Sequence, residues 1–482
     1  MKTMKQKLKN KLNYNNIGKL SGILLILIIL FIMSYQIIAN FIIYINIDNH
    51  LILHHVYDNN INIGDRICAY ENRFLPLQYF DWNILRIFNK DIRYLLFPFY
   101  ITIKFLITVF IFIYIIKDFE KFNKVKLNFP IKLLFVLFFL IYWGNAWLIM
   151  EIKFSEITQG LFSLLFILFY QRAYFINKPK YYVMAILSCV YATYMKETMF
   201  IPFLVIGIAN LLFLDRNKNK LRWVNLLLIL NGIVYITLYY FLVYKICNGE
   251  AYYKYANEQI LFQPFYLFHF LIFFSVIRGY SFLKKRKIEF YDSFLLGADA
   301  FVFVMYIILN FKWIYYYHIS YIFLCVFLIY YITKCSKYMK YFICFLMLSH
   351  ILINIEPSYN YYKIQNIKRK IGKSFIYNFK DNDIINLYNN EYYDNIFKAY
   401  HKYIFNKDKN IINFGNYANE EVINKIIKLP TKEYIVMIKK NDNKRNLFNN
   451  EQIKQKYHLY EINTGNPIIY DMNTFLLSSY NY

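Results

Sequence analysis

Ionisable residues of this chain gather in a few short polar stretches between long apolar ones. Asp48, Asp58, Asp65, Glu71, Asp81 and Asp91 fall between residues 47 and 92. Glu151 and Glu156 follow in a second stretch, Glu197 in a third, and Glu250 and Glu258 in a fourth. Arg66, Arg73, Lys196 and Lys254 accompany them, with His318 at the start of a later apolar run. One task needs this mixture. A phosphate-linked substrate is held by Arg and Lys while a nearby carboxylate takes a proton from an attacking hydroxyl. Arg73 offers a planar fork for phosphate oxygens and Lys196 a point charge, and Asp65 and Glu71 are candidates for the base. Arg66, Glu156, Glu197, Lys254 and His318 complete the candidate substrate-binding set.

These groups must be positioned by a chain of 482 residues that is 58% hydrophobic and only 18% charged, yet carries a formal net charge of +26. Its mean hydropathy is +0.28. Long apolar runs separated by Lys clusters exclude a soluble enzyme of two or three domains. The runs predict about eleven spans, near 20–45, 93–116, 131–150, 157–175, 181–195, 198–214, 223–245, 264–283, 293–309, 313–333 and 341–355. Of the 56 Lys and Arg, 25 lie at the N-terminus and in every second segment between spans, against ten on the opposite loops. That asymmetry follows the positive-inside rule and predicts a cytoplasmic N-terminus. The charge orients the chain in a membrane and is not a nucleic-acid signal. The first apolar run is too long for a signal-peptide core, so an uncleaved first helix is expected. The 22% aromatic content follows AT-rich codon usage and membrane packing more than a stacking surface.

The predicted loops are unequal. Residues 47–92 form a long polar loop on the outer side, where packed helices commonly carry function. From Leu77 onward it is expected to lie as an amphipathic helix along the bilayer surface, with Trp82 at the interface. Lys196-Glu197-Thr198 joins two spans with almost no loop, beside the helix breaker Pro202. Residues 1–355 are thus expected as the transmembrane domain. Residues 356–482, with 19 basic and 13 acidic residues and no spanning run, are expected as a small outer α/β domain. Its strands are placed near 411–414, 433–438, 457–462 and 467–470, and its helices near 420–428 and 450–456.

Lys104 lies in the middle of the second span and Asp299 in the middle of the ninth, and they are expected to pair with one another and lock helices together. The six cysteines show no C-x-x-C spacing; Cys68 and Cys247 are the candidate outer pair, and the other four are expected as thiols. No metal-ligand spacing, Gly-rich phosphate loop or nucleophile elbow is present, so no cofactor is expected.

Glu71-Asn72-Arg73-Phe74-Leu75-Pro76-Leu77, Ser155-Glu156 and Lys196-Glu197-Thr198, set in this order of spans and loops, resemble the GT-C superfamily of polytopic glycosyltransferases. The Glu71–Leu77 stretch is similar to the acidic, Arg-aromatic-Pro stretch of first loops in bacterial members. Ser155-Glu156 resembles their acidic position in the loop that follows, and Lys196-Glu197-Thr198 a Lys-Glu pair after their fifth span. The resemblance implies an all-α polytopic fold of about eleven transmembrane helices with a C-terminal outer domain. It implies transfer of a sugar, with inversion, from a polyprenyl-phosphate donor to a glycan, lipid or protein acceptor at the outer face of a bacterial cytoplasmic membrane. In many such enzymes the first-loop acid falls just after span 1, which adds Asp48 to Asp65 and Glu71 as the base. Rival expectations are a lipid-linked sugar transporter or flippase, an O-antigen polymerase or ligase, and a membrane scaffold. A transporter would show repeats or paired broken spans, which the sequence lacks. A polymerase or ligase would carry its main loop late among the spans.

Overall fold

The computed structural model describes residues 19–34, 62, 73–150, 155–214, 221–246, 265–285, 287–309, 314–377 and five strands between 385 and 479. Twelve helices are named here: α1 (Lys19–Ser34), α2 (Lys90–Asn123), α3 (Phe129–Leu140), α4 (Trp143–Met150), α5 (Glu156–Ile176), α6 (Pro179–Met195), α7 (Phe200–Phe213), α8 (Arg222–Tyr239), α9 (Phe265–Lys285), α10 (Asp292–Val302), α11 (His318–Lys334) and α12 (Lys337–Tyr377). Four apolar stretches are long enough to cross a membrane: Phe99–Asn123 of α2, Glu156–Ile176, Arg222–Tyr244 and Lys337–Asn360 of α12. Shorter apolar helices are α1, α3, α7 and α11. The chain is an integral membrane protein, mostly helical.

Local chemistry sets many of the ends. Pro130 and Pro179 stand in the first turns of α3 and α6, where a missing N–H costs nothing. Asn177 closes α5 in the left-handed region at φ 59°, a conformation its short side chain tolerates. α8 and α10 each end in a π-helical turn, Tyr240–Tyr244 and Phe303–Ile308. α11 is buried on every side from His318 to Ile332, as befits a central helix that is apolar all round.

The run at 131–150 is not one span-length helix. It breaks into α3 and α4 at Ile141 and Tyr142 because side chains take the bonds that a continuous helix would make. The Phe138 carbonyl accepts from the Tyr321 hydroxyl at 2.5 Å, and the Phe139 carbonyl from Asn145 Nδ2 at 2.5 Å. The Tyr142 carbonyl receives the Asn145 amide at 2.8 Å. Irregular backbone persists in a membrane segment only where its polar groups are met in this way.

The expected amphipathic helix of the first loop is a 3₁₀ helix, Phe80–Ile87. Trp82 is buried within the protein, at 2% exposure, its ring packed against Tyr100 and the Lys104 ammonium. The last helix runs on through Pro357 to Tyr377, past the expected end near 355.

The chain divides into two compact units, Met1–Ala39 with Asn60–Tyr361, and Asn40–Asn59 with Tyr362–Tyr482. The second holds β1 (Ile385–Tyr388), β2 (Ile411–Asn413), β3 (Tyr434–Lys439), β4 (Tyr457–Ile462) and β5 (Asn473–Ser479). They form one mixed sheet in the order β2-β1-β3-β5-β4. β1 is parallel to β2 and β3, while β5 is antiparallel to β3 and β4. The helices expected near 420–428 and 450–456 and the strand near 467–470 lie outside the described residues.

Candidate functional site

The first turn of α5 is where the ionisable groups converge. Glu156 opens the helix and is 2% exposed. Its carboxylate is paired with the ammonium of Lys196, itself 5% exposed, and that ammonium lies over the Tyr316 ring at 4.0 Å. Lys196 reaches this point because α6 stops at Met195 and the backbone extends for one residue before the 3₁₀ turn Glu197–Met199. Half a turn from Glu156, Thr158 takes part in a second pair. Lys104 of α2 donates to Thr158 Oγ1 at 2.8 Å and to Asp81 Oδ2 at 2.9 Å. Its ammonium also faces the rings of Tyr100 and Trp82, at 4.4 and 4.5 Å. Tyr100 donates its hydroxyl to Asp81 Oδ2 at 2.9 Å. Asp81 Oδ1 has no hydrogen-bond partner among the described residues.

The segment before the 3₁₀ helix is tied to the same place. Leu77 donates its amide to the Tyr194 carbonyl at 3.1 Å, and Gln78 Nε2 lies 3.4 Å from Ser155 Oγ. The Tyr235 hydroxyl donates to the Phe74 carbonyl at 2.7 Å. Phe74 packs with Tyr235, Tyr194 and Phe200. Tyr79 adopts φ 64° at the turn into the 3₁₀ helix, an unusual conformation for a bulky residue. Arg73, half-buried, stands next to this anchored stretch.

His318 begins α11 and packs on Gly160, one turn along α5 from Glu156. A Cβ at Gly160 would stand 2.5 Å from His318 Nε2, so the contact requires glycine. His318 Nδ1 and Gln159 Nε2 have no hydrogen-bond partner among the described residues.

Of the residues singled out in the sequence, Glu156, Lys196 and His318 are thus gathered around the first two turns of α5, with Arg73 on the neighbouring segment. Glu197 opens its 3₁₀ turn. Asp48, Asp65, Arg66, Glu71 and Lys254 lie outside the described residues, as do Cys68 and Cys247. The expected Lys104–Asp299 pair is not formed. Lys104 sits near the start of its apolar stretch and reaches the first loop, while Asp299 accepts from Ser275 at 2.5 Å. The constellation includes Asp81, Tyr100, Thr158 and Tyr316, which the sequence did not single out as site residues. Their signal was weak: only Asp81 stood among the outer carboxylates, and no spacing ties it to a lysine 23 residues away. Among the described residues no group of three His, Cys, Asp or Glu could hold a metal ion.

Chemically, the site holds two buried ammonium groups, Lys104 paired with Asp81 and Lys196 paired with Glu156. An incoming anion therefore exchanges for a carboxylate partner instead of meeting a free cation.

No protein-family model and no curated protein matches the chain. Among solved structures it is similar to ArnT from Cupriavidus metallidurans bound to undecaprenyl phosphate. Identity is 8%, the match covers 94% of this chain and 97% of that one, and the TM-score is 0.46.

Proposed function

We propose that the chain is a membrane glycosyltransferase of GT-C type. It takes a sugar from a polyprenyl-phosphate donor and passes it to a glycan, lipid or protein acceptor at the outer side of a bacterial cytoplasmic membrane. The observation that carries this reading is the buried Glu156–Lys196 pair beside the anchored Arg73 segment. A lipid phosphate entering there is met by Arg73 and Lys196, which stabilise the leaving phosphate without protonating it. A first-loop carboxylate, Asp65, Glu71 or Asp48, serves as base for the acceptor hydroxyl, whose attack inverts the anomeric carbon in a single displacement. Arg66, Glu197 and Lys254 belong to the same outer layer, and Glu156 and His318 form the floor beneath it. In this reading about eleven helices cross the membrane within residues 1–355, the N-terminus is cytoplasmic, and residues 356–482 form an outer α/β domain.

The test uses the full chain in detergent with radiolabelled polyprenyl phosphate and a panel of polyprenyl-phosphate sugars. Wild type is expected to release polyprenyl phosphate, Lys196→Met to bind that lipid at least tenfold more weakly, and one of Asp65→Asn, Glu71→Gln or Asp48→Asn to abolish release. Saturable binding without release, unchanged by all four substitutions, would establish a lipid-linked sugar carrier instead.

A further inference from the structure

One turn along α5 from the Glu156–Lys196 pair, the polar groups change character. Gln159, His318, Asn145 and His350 are 2%, 3%, 1% and 4% exposed. Gln159 Nε2, His318 Nδ1, Asn145 Oδ1 and both ring nitrogens of His350 have no hydrogen-bond partner among the described residues. Buried polar atoms without partners are rare, and each calls for an explanation. Asn145 belongs to the break between α3 and α4, His318 and His350 lie near its rings, and Gln159 adjoins the Gly160 contact of His318.

The connections are direct. His318 packs on Gly160, the neighbour of Gln159. The His318 ring is 6.4 Å from Phe139, whose carbonyl is held by Asn145. Tyr142, at the break itself, stacks on Tyr321 with centroids 4.1 Å apart and planes 12° from parallel. His350 lies 5.5 Å from Tyr321 and 6.4 Å from Tyr142, its ring tilted from theirs by 22° and 11°. A helix interrupted within an apolar run, with unmet polar atoms on either side, is how membrane proteins build internal ligand sites.

The atom types define the ligand. Asn145 Oδ1 can only accept a hydrogen bond and Gln159 Nε2 can only donate one, while a neutral imidazole offers one of each. A phosphate or carboxylate wants donors alone, and an ammonium wants acceptors alone. A hydroxyl serves both. None of the six side chains bears a formal charge when its histidine is neutral, and Tyr142 and Tyr321 add an aromatic wall at the break. We propose that Asn145, Gln159, His318 and His350, with Tyr142 and Tyr321, form a binding site for an uncharged sugar ring. The site adjoins the ion pair and is chemically distinct from it. The inference rests on the transferase reading only for the ring's source, which is the sugar of the lipid-linked donor or that of a carbohydrate acceptor.

The experiment measures binding to the full chain in detergent of three radiolabelled probes: polyprenyl phosphate, the same lipid bearing a neutral hexose, and a free methyl hexoside. His350→Phe and Gln159→Leu remove unpartnered nitrogens and break no hydrogen bond described here. The expected result is at least tenfold weaker binding of a hexose-bearing probe in both variants, with sugar-free lipid unchanged. Loss for the lipid-linked hexose identifies the donor sugar, and loss for the methyl hexoside alone identifies the acceptor. If both variants bind every probe as wild type does and melt at a higher temperature, the unmet atoms are packing defects and the site is refuted. Equal weakening of all three probes, or a wild type that binds no hexose, refutes it too. A wild type that binds hexose through His350 and Gln159 yet releases no polyprenyl phosphate refutes the transferase and leaves the sugar site standing.

Discussion

Lys104 is buried and tied to both the 3₁₀ helix Phe80–Ile87 and α5. A lysine inside an apolar run suggests a partner inside another run, yet its ammonium is met by a carboxylate from the polar loop, a threonine hydroxyl and two ring faces. With two hydrogen bonds and the rings beside it, this ammonium is an anchor. Removing one member of a buried pair leaves the other charge stranded. Lys104→Met should therefore destabilise the protein by about 3–5 kcal/mol, while Asp81→Leu with Lys104→Met should recover most of the loss. Thermal unfolding of wild type, Lys104→Met, Asp81→Leu and the double variant in one detergent checks this. A double variant as unstable as the sum of its parts would show that the pair is not a unit.

At the scale of elements, the first two turns of α5 do the organising. Glu156 and Gly160 are four residues apart and share a face, so the ion pair and the His318 contact stack one above the other. Gly160 sets how closely α5 and α11 approach. Gly160→Ala should cost about 1–3 kcal/mol through overpacking against the imidazole, and adding His318→Ala should remove most of that penalty. Unfolding midpoints of the single and double variants supply the measurement; an unchanged midpoint for Gly160→Ala would mean that the two helices separate freely. The α3–α4 break follows the same logic in reverse. Tyr321 and Asn145 take the carbonyls that Tyr142 and Trp143 amides would occupy in an unbroken helix, so the interruption is specified by side chains from elsewhere in the fold.

Across the whole molecule, the two ends of the helical unit are built differently. The end bearing Asp81, Glu156 and Lys196 mixes lysines, carboxylates and aromatic rings, whereas the opposite end carries three ion pairs. Arg172 bonds Asp118 at 2.5 Å, Lys132 bonds Glu120 at 2.6 Å, and Arg278 grips Asp292 through two bonds of 2.5 and 2.8 Å. Between them, Tyr170 donates to Asn225 and accepts from Asn210, which also reaches Ser293, so that α5, α7, α8 and α10 share one polar knot. The lysine distribution further predicts the end with the Arg172–Asp118 and Lys132–Glu120 pairs as the cytoplasmic one. Single cysteines introduced at positions 10 and 218 in a background lacking native cysteines should resist a membrane-impermeant maleimide in intact cells, and one at 400 should react. Labelling at 10 and 218 would invert the proposed topology.

Apolar run length, charge asymmetry between runs and turn residues act locally, and they determined from sequence alone that the chain is a helical membrane protein and the approximate course of most of its described apolar helices. Glu156, Lys196 and His318 were legible too, because charges and a histidine stand out at the edges of apolar runs. Which charges meet was not legible. Asp81 and Lys104 are separated by 23 residues, Glu156 and Lys196 by 40, and Asn145 and His350 by more than 200, and pairing at such distances depends on how the helices pack. The burial of Trp82, the broken third run and the glycine contact beneath His318 likewise arise from neighbours remote in the chain. Only the tertiary structure decided them, since a side chain's partner is set by proximity in space and the desolvation that comes with it.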